Sequence, residues 1–94
     1  MPTYEATEDF LRAYRRLDPS AREAFRRALA RFIEDAKARE FRPGLRVKGV
    51  RGLPGCFEMT WASDGRAIFK YGPAVRAGEP HFVWVAIGGH SILP

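Results

Sequence analysis

The chain has 94 residues, 46% of them hydrophobic and 13% aromatic, which is enough for one core and one domain spanning residues 1–94. A formal net charge of +5 points to a polyanion or an acidic protein as partner, and a charged fraction of 29% argues against disorder. One cysteine excludes a disulfide within the chain, and with only two histidines a structural zinc site is not expected. No apolar run reaches the roughly 18–20 residues of a membrane span, and Glu5, Glu8 and Asp9 interrupt any signal core. The expectation is a cytoplasmic protein without a cofactor.

Residues Pro2–Ala6 predict a short edge strand. Thr7 is placed to cap a first helix, with Glu8 and Asp9 suiting the positive end of its dipole. Phe10, Leu11, Tyr14 and Leu17 recur at helical spacing, and the helix should end near Asp18. Asp18-Pro19 then reads as a cap followed by proline at the first helical position. From Ala21 to Ala36 an apolar stripe runs through Phe25, Ala28, Leu29, Phe32 and Ile33, with Arg22, Arg26, Arg27, Arg31 and Lys37 off it. This second helix cannot pass Pro43-Gly44. So short a join between the helices predicts a helix hairpin.

The remainder reads as strands. Leu45–Val50 alternates, with Arg46 and Lys48 opposite in direction to Leu45 and Val47. Gly52-Leu53-Pro54-Gly55 is a turn signal. Cys56–Ala62 and Arg66–Tyr71 predict two strands, residues 72–80 a polar loop, and His81–Ile87 a strand apolar on both faces and therefore central. His81 falls at a strand start, and Cys56 is expected to be a buried or half-buried thiol.

The hairpin around Asp64-Gly65 can close in two ways. A two-residue turn would mix Phe57, Met59 and Trp61 with Arg66 and Lys70 on one face. A three-residue loop, Ser63-Asp64-Gly65, instead pairs Ala62 with Arg66, Thr60 with Ile68 and Glu58 with Lys70, with Gly65 left-handed. Phe57, Met59, Trp61, Ala67, Phe69 and Tyr71 then share a buried face, and Glu58, Thr60, Arg66 and Lys70 the opposite one. Each large apolar side chain buried is worth roughly 1.5–3 kcal/mol, so the second closure is expected. It leaves a carboxylate, Glu58, among cations on an open sheet face.

The order of a helix hairpin and then an antiparallel sheet with a basic free face resembles the RelE/ParE toxin superfamily. The run from Leu45 to Trp61 (LRVKGVRGLPGCFEMTW) is similar to its basic strand, turn and glutamate strand. The run from Asp64 to Tyr71 (DGRAIFKY) is similar to its arginine strand, and that from Ile87 to Leu93 (IGGHSIL) to its closing strand. The resemblance implies an α+β fold, with the helix hairpin packed on a small, mainly antiparallel twisted sheet of three to five strands.

For the RelE branch it implies a type II toxin that cleaves mRNA in the ribosomal A site without a metal, by attack of the ribose 2′-OH on the adjacent phosphate. By position, the resemblance implies Arg66 as the transition-state clamp, Glu58 as general base and His90 as general acid. Lys48 and Arg46 would hold phosphate, joined by the neighbouring basic residues Arg51 and Lys70. The family's C-terminal tyrosine has no counterpart here. Implied partners are the 70S ribosome, mRNA and an acidic antitoxin that wraps the basic toxin. Two alternatives share the scaffold: a ParE-type gyrase poison, and an inactive homologue that only binds antitoxin.

Overall fold

The computed structural model describes residues 2–94. Strand β1 (Thr3–Ala6) leads into helix α1 (Glu8–Arg16) and helix α2 (Pro19–Ala38). Strands β2 (Lys48–Gly49), β3 (Cys56–Thr60), β4 (Gly65–Gly72) and β5 (His81–Gly89) follow. The five strands form one sheet in the order β1-β5-β4-β3-β2. Only β1 and β5 pair in parallel; the other pairs are antiparallel. Two helices on a mainly antiparallel sheet is the α+β arrangement expected; β5 is an interior strand between β1 and β4, while the middle position expected for it is held by β4.

Local chemistry sets the helix ends. The Thr7 side chain accepts a hydrogen bond from the Phe10 amide, and the Asp18 carboxylate accepts one from the Ala21 amide at 2.8 Å. Pro19 follows that cap at the start of α2. The helices meet through rings: Phe25 lies 5.7 Å from Phe10 and edge-on to Tyr14 at 5.9 Å.

On the sheet side, Phe32 of α2 packs edge-on against Phe69, Phe82 and Trp84, with centroids 5.0, 4.9 and 5.0 Å away. Together with Met59 these are the largest fully buried side chains. Phe32 therefore ties α2 to β4 and β5 at the centre of the core.

A bulge tunes β5. Ile68 pairs with Ala86 but Phe69 with Trp84, so Val85 is the extra residue. Strict alternation would send Trp84 and Ile87 to opposite faces. The bulge lets both enter the core, where they are 1% and 4% exposed.

Two further expectations need correction. The strand expected over Leu45–Val50 shrinks to Lys48–Gly49. Pro43–Leu45 is instead a 3-10 turn, closed by Arg46 in the left-handed conformation at φ 51°. Arg46 is thus off the strand that carries Lys48.

The β3–β4 hairpin is also two residues off the expected register: Arg66 pairs with Thr60, Ile68 with Glu58 and Lys70 with Cys56. An even slip preserves which side chains share a face, so the apolar set stays buried. Gly65 is the cause. Its φ is not positive; it stands opposite Trp61, whose amide donates to the Gly65 carbonyl at 3.1 Å. A Cβ on Gly65 would lie 2.5 Å from Cδ2 of Trp61, so only glycine lets the indole lie there.

Candidate active site on the sheet face

Strand alternation places Glu58, Thr60, Arg66 and Lys70 on the face away from the helices. Lys48 sits directly opposite Glu58 on β2, and Ile68 directly opposite on β4. Arg66 and Lys70, two residues to either side of Ile68, are diagonal neighbours of Glu58. Diagonal positions are ordinarily about 7–8 Å apart, within reach of long side chains. One carboxylate therefore stands between three cations. Lys70 is a diagonal neighbour of Glu58, not the directly paired partner expected from sequence.

The face is not open. Glu58 is only 7% exposed and Ile68 3%. The cover is the C-terminal segment: a 3-10 turn, His90–Ile92, folds back against β4 and β5. Cγ2 of Ile92 lies 2.8 Å from where a Cβ on Gly88 would sit, so glycine there admits the tail. Further along, Pro94 Cγ lies 3.7 Å from the corresponding position on Gly52. The Asp64 carboxylate anchors this tail by accepting from the His90 amide at 3.2 Å. Glu58 has no ion-pair partner among the described residues.

Arg66 starts on the same face, but its guanidinium turns onto the hairpin. Nη1 donates to the carbonyls of Gly65 at 3.0 Å and of Ala62 and Ser63 at 3.4 Å. His90 is exposed at the end of β5, beside the β3–β4 hairpin, and so at the Arg66 end of the sheet. Arg51 is exposed in the β2–β3 turn at the opposite end. The structure thus groups Lys48, Glu58, Arg66 and Lys70, puts His90 beside Arg66, and separates Arg46 and Arg51 from the group.

Arg46 belongs to a different grouping. With Arg31, Arg42 and Arg66 it lines a cleft of about 420 Å³ between α2, the Pro43–Leu45 turn and the β3–β4 hairpin. Asp35 fixes Arg42: Oδ2 accepts from Nε at 2.8 Å and from the Arg42 amide at 2.9 Å, and Oδ1 from Nη2 at 2.9 Å. These bonds hold the Asp35 carboxyl at about 2, below its usual 3.8. Sequence reasoning missed Arg31 and Arg42. Arg31 had a signal, three residues past Ala28 at the edge of the apolar stripe; Arg42 had none.

Elsewhere, His81 is buried. Its Nδ1 lies 2.7 Å from Thr3 Oγ1 and its Nε2 3.3 Å from Glu5 Oε2, which is a structural role joining β1 to β5. Cys56 is half-buried, as expected. Among the described residues no cluster of three or more metal-ligating side chains occurs, and no helix is long and apolar enough to cross a membrane.

No protein-family model matches the sequence, and no curated protein does. Solved structures do match over nearly full length. The chain is similar to one in the DinJ–YafQ complex of E. coli, with a TM-score of 0.67 and 12% identity over 99% of this chain and 98% of that one. It is similar to a YoeB/ParE toxin from Agrobacterium tumefaciens, with a TM-score of 0.66 and 15% identity over 94% and 98%. It is also similar to a copper-bound mutant toxin from Helicobacter pylori, with a TM-score of 0.65 and 16% identity over the whole of both chains. At 12–16% identity the likeness is one of fold: two helices on a mainly antiparallel five-stranded sheet, as in those toxin structures.

Proposed function

We propose that this chain is the toxin of a type II toxin–antitoxin pair and acts in the cytoplasm as a ribosome-dependent, metal-independent endoribonuclease. The observation that carries the reading is Glu58 set between Lys48, Arg66 and Lys70 on one sheet face. The likeness to chains described as toxins supports it.

In this mechanism Glu58 takes the proton of a ribose 2′-OH. The freed oxygen bonds to the adjacent phosphorus, and Arg66 and Lys48 neutralise the charge that develops on the phosphoryl oxygens. The bond from phosphorus to the 5′ oxygen then breaks, and His90 protonates the leaving oxygen. The products are a 2′,3′-cyclic phosphate and a 5′-hydroxyl. Arg46, Arg51 and Lys70 contribute phosphate contacts outside the reacting group. The net charge of +5 suits an acidic antitoxin as well as the 70S ribosome and its mRNA.

The test is a reconstituted translation reaction with the purified chain, mapping mRNA 5′ ends. Cuts in the A site, lost in Glu58→Gln, support the reading. Intact mRNA with gyrase-linked DNA breaks in cells would replace it with gyrase poisoning. A second reading, a homologue that binds antitoxin without nuclease chemistry, draws on the covered Glu58 and on Arg66 Nη1 donating to three carbonyls. Normal growth on expression without an antitoxin would favour it.

A further inference from the structure

The cleft behind the hairpin gathers arginines from four separate segments. Arg31 comes from α2, Arg42 from the residues after it, Arg46 from the end of the 3-10 turn and Arg66 from β4. No carboxylate lines it among the described residues. Arg42 is paired with Asp35 and, through Nη2, with Glu34 at 3.1 Å; the other three guanidiniums have no carboxylate partner among the described residues, and an anion in the cleft offsets their mutual repulsion.

Two of the four are pre-positioned. Asp35 holds Nε and Nη2 of Arg42, and the hairpin carbonyls hold Nη1 of Arg66. Nη1 of Arg42 and Nη2 of Arg66 have no hydrogen-bond partner among the described residues. Arg31 and Arg46 are exposed and unpaired among the described residues. Guanidinium forks of this kind suit phosphate oxygens. The cleft also has an apolar wall that includes Trp61 and Leu45.

We infer that this cleft binds one nucleotide of a single-stranded RNA, its phosphate among the four arginines and its base against the Trp61 and Leu45 wall. The inference deepens the proposed function, because it rests on RNA being the substrate of the neighbouring face. Continuity favours RNA over an acidic protein segment. Arg66 belongs to both places, and the Glu58–Ile68 row lies two residues along the strand, about 7 Å away at ordinary strand rise. That is the order of one extended nucleotide step. An aromatic wall accepts any base, so the site would extend grip without dictating sequence.

The experiment is a fluorescence-anisotropy titration of a labelled 2′-O-methyl hexanucleotide, which lacks the hydroxyl needed for cleavage. It uses the full chain at several salt concentrations. Arg31→Ser combined with Arg46→Ser is expected to weaken binding at least tenfold at low salt. It should also flatten the log–log salt slope by up to about 0.7, one phosphate on a single strand. Trp61→Phe should weaken binding without changing that slope. Circular dichroism melts confirm folding; the single Gln variants replace the double one if it melts early.

Unchanged affinity and slope would overturn the inference. So would arginine-dependent binding of poly-glutamate with none of the hexanucleotide, which would make the cleft a site for an acidic protein segment. Ribosomal cleavage is measured separately. Arginine-dependent oligonucleotide binding without mRNA cleavage leaves the subsite standing and the nuclease reading fallen. Cleavage with binding indifferent to the arginines gives the reverse.

Discussion

Lys48 lies directly across the β2–β3 pair from Glu58, yet no ion pair joins Glu58 to any described residue. The carboxylate has acceptor capacity left over and a cation beside it, the pairing a proton-abstracting group needs next to a phosphate. Glu58→Gln keeps the shape and removes the proposed base. Cleavage should fall about 10²–10⁴-fold while antitoxin binding and the melting temperature hold. Primer extension on ribosome-bound message, with a pull-down of the antitoxin, checks both halves. Full cleavage by the variant removes Glu58 from the mechanism.

Acid stability should depend on Asp35. Its carboxyl is held at about 2 by the Arg42 guanidinium and amide, below its unfolded value. The folded pKa is the lower one, so the contribution is present above pH about 4 and is lost as pH falls towards 2. Melting temperatures between pH 2 and 6 should drop less steeply for Asp35→Asn than for the parent, from a lower plateau at neutral pH. An identical acid limb in both proteins would contradict this.

Gly65→Ala would set a methyl group 2.5 Å from the Trp61 ring. The cost is expected at about 1–3 kcal/mol, typical of overpacking, with a shift in tryptophan emission. Adding Trp61→Leu should recover part of the loss. Urea titrations of the two single variants and the double give the coupling, and simple additivity would argue against the contact.

Phe32→Ala removes the ring against which Phe69, Phe82 and Trp84 pack, and should cost about 3–5 kcal/mol. Urea unfolding followed by circular dichroism measures it. A loss under about 1 kcal/mol would mean that α2 is held mainly elsewhere.

The tail covering Glu58 gives an accessibility prediction. Ile92→Asp should detach the turn from Gly88 and raise the rate at which a water-soluble carbodiimide and an amine label Glu58. Peptide mass spectrometry reads the labelling. Glu34 is an exposed internal standard. Equal Glu58 labelling in parent and variant would show that the segment does not protect it.

Element order and helix caps were legible because they are local: Thr7, Asp18 and Pro19 act within one turn. Face assignment was legible because burying Phe57, Met59 and Phe69 together admits only even registers. The exact register was not, since it turns on one ring lying over Gly65. The cover over Glu58 was equally hidden. It depends on residues 88–94 folding back, and an apolar pattern as short as Ile92-Leu93 gives no direction. Arg42 joined the arginine cleft through a tertiary bond to Asp35, which no spacing rule anticipates. Arg46 was misplaced because a lone alternation over Leu45–Val50 looks like a strand even where Pro43 imposes a turn.

One interior strand, β5, joins the first described strand to the rest of the sheet. β5 bonds to β1 on one side and β4 on the other, bringing Thr3 beside His81. Strands β2, β3 and β4 pair among themselves, but β1 has no neighbour in the sheet other than β5. The walls that Phe82 and Trp84 give to Phe32, and that Trp84 gives to Phe10 and Phe25, come only with β5, a slow and contact-distant closure. Pairing of β1 and closure of the core over Phe32 are thus one event, so that a change that loosens β5 releases both.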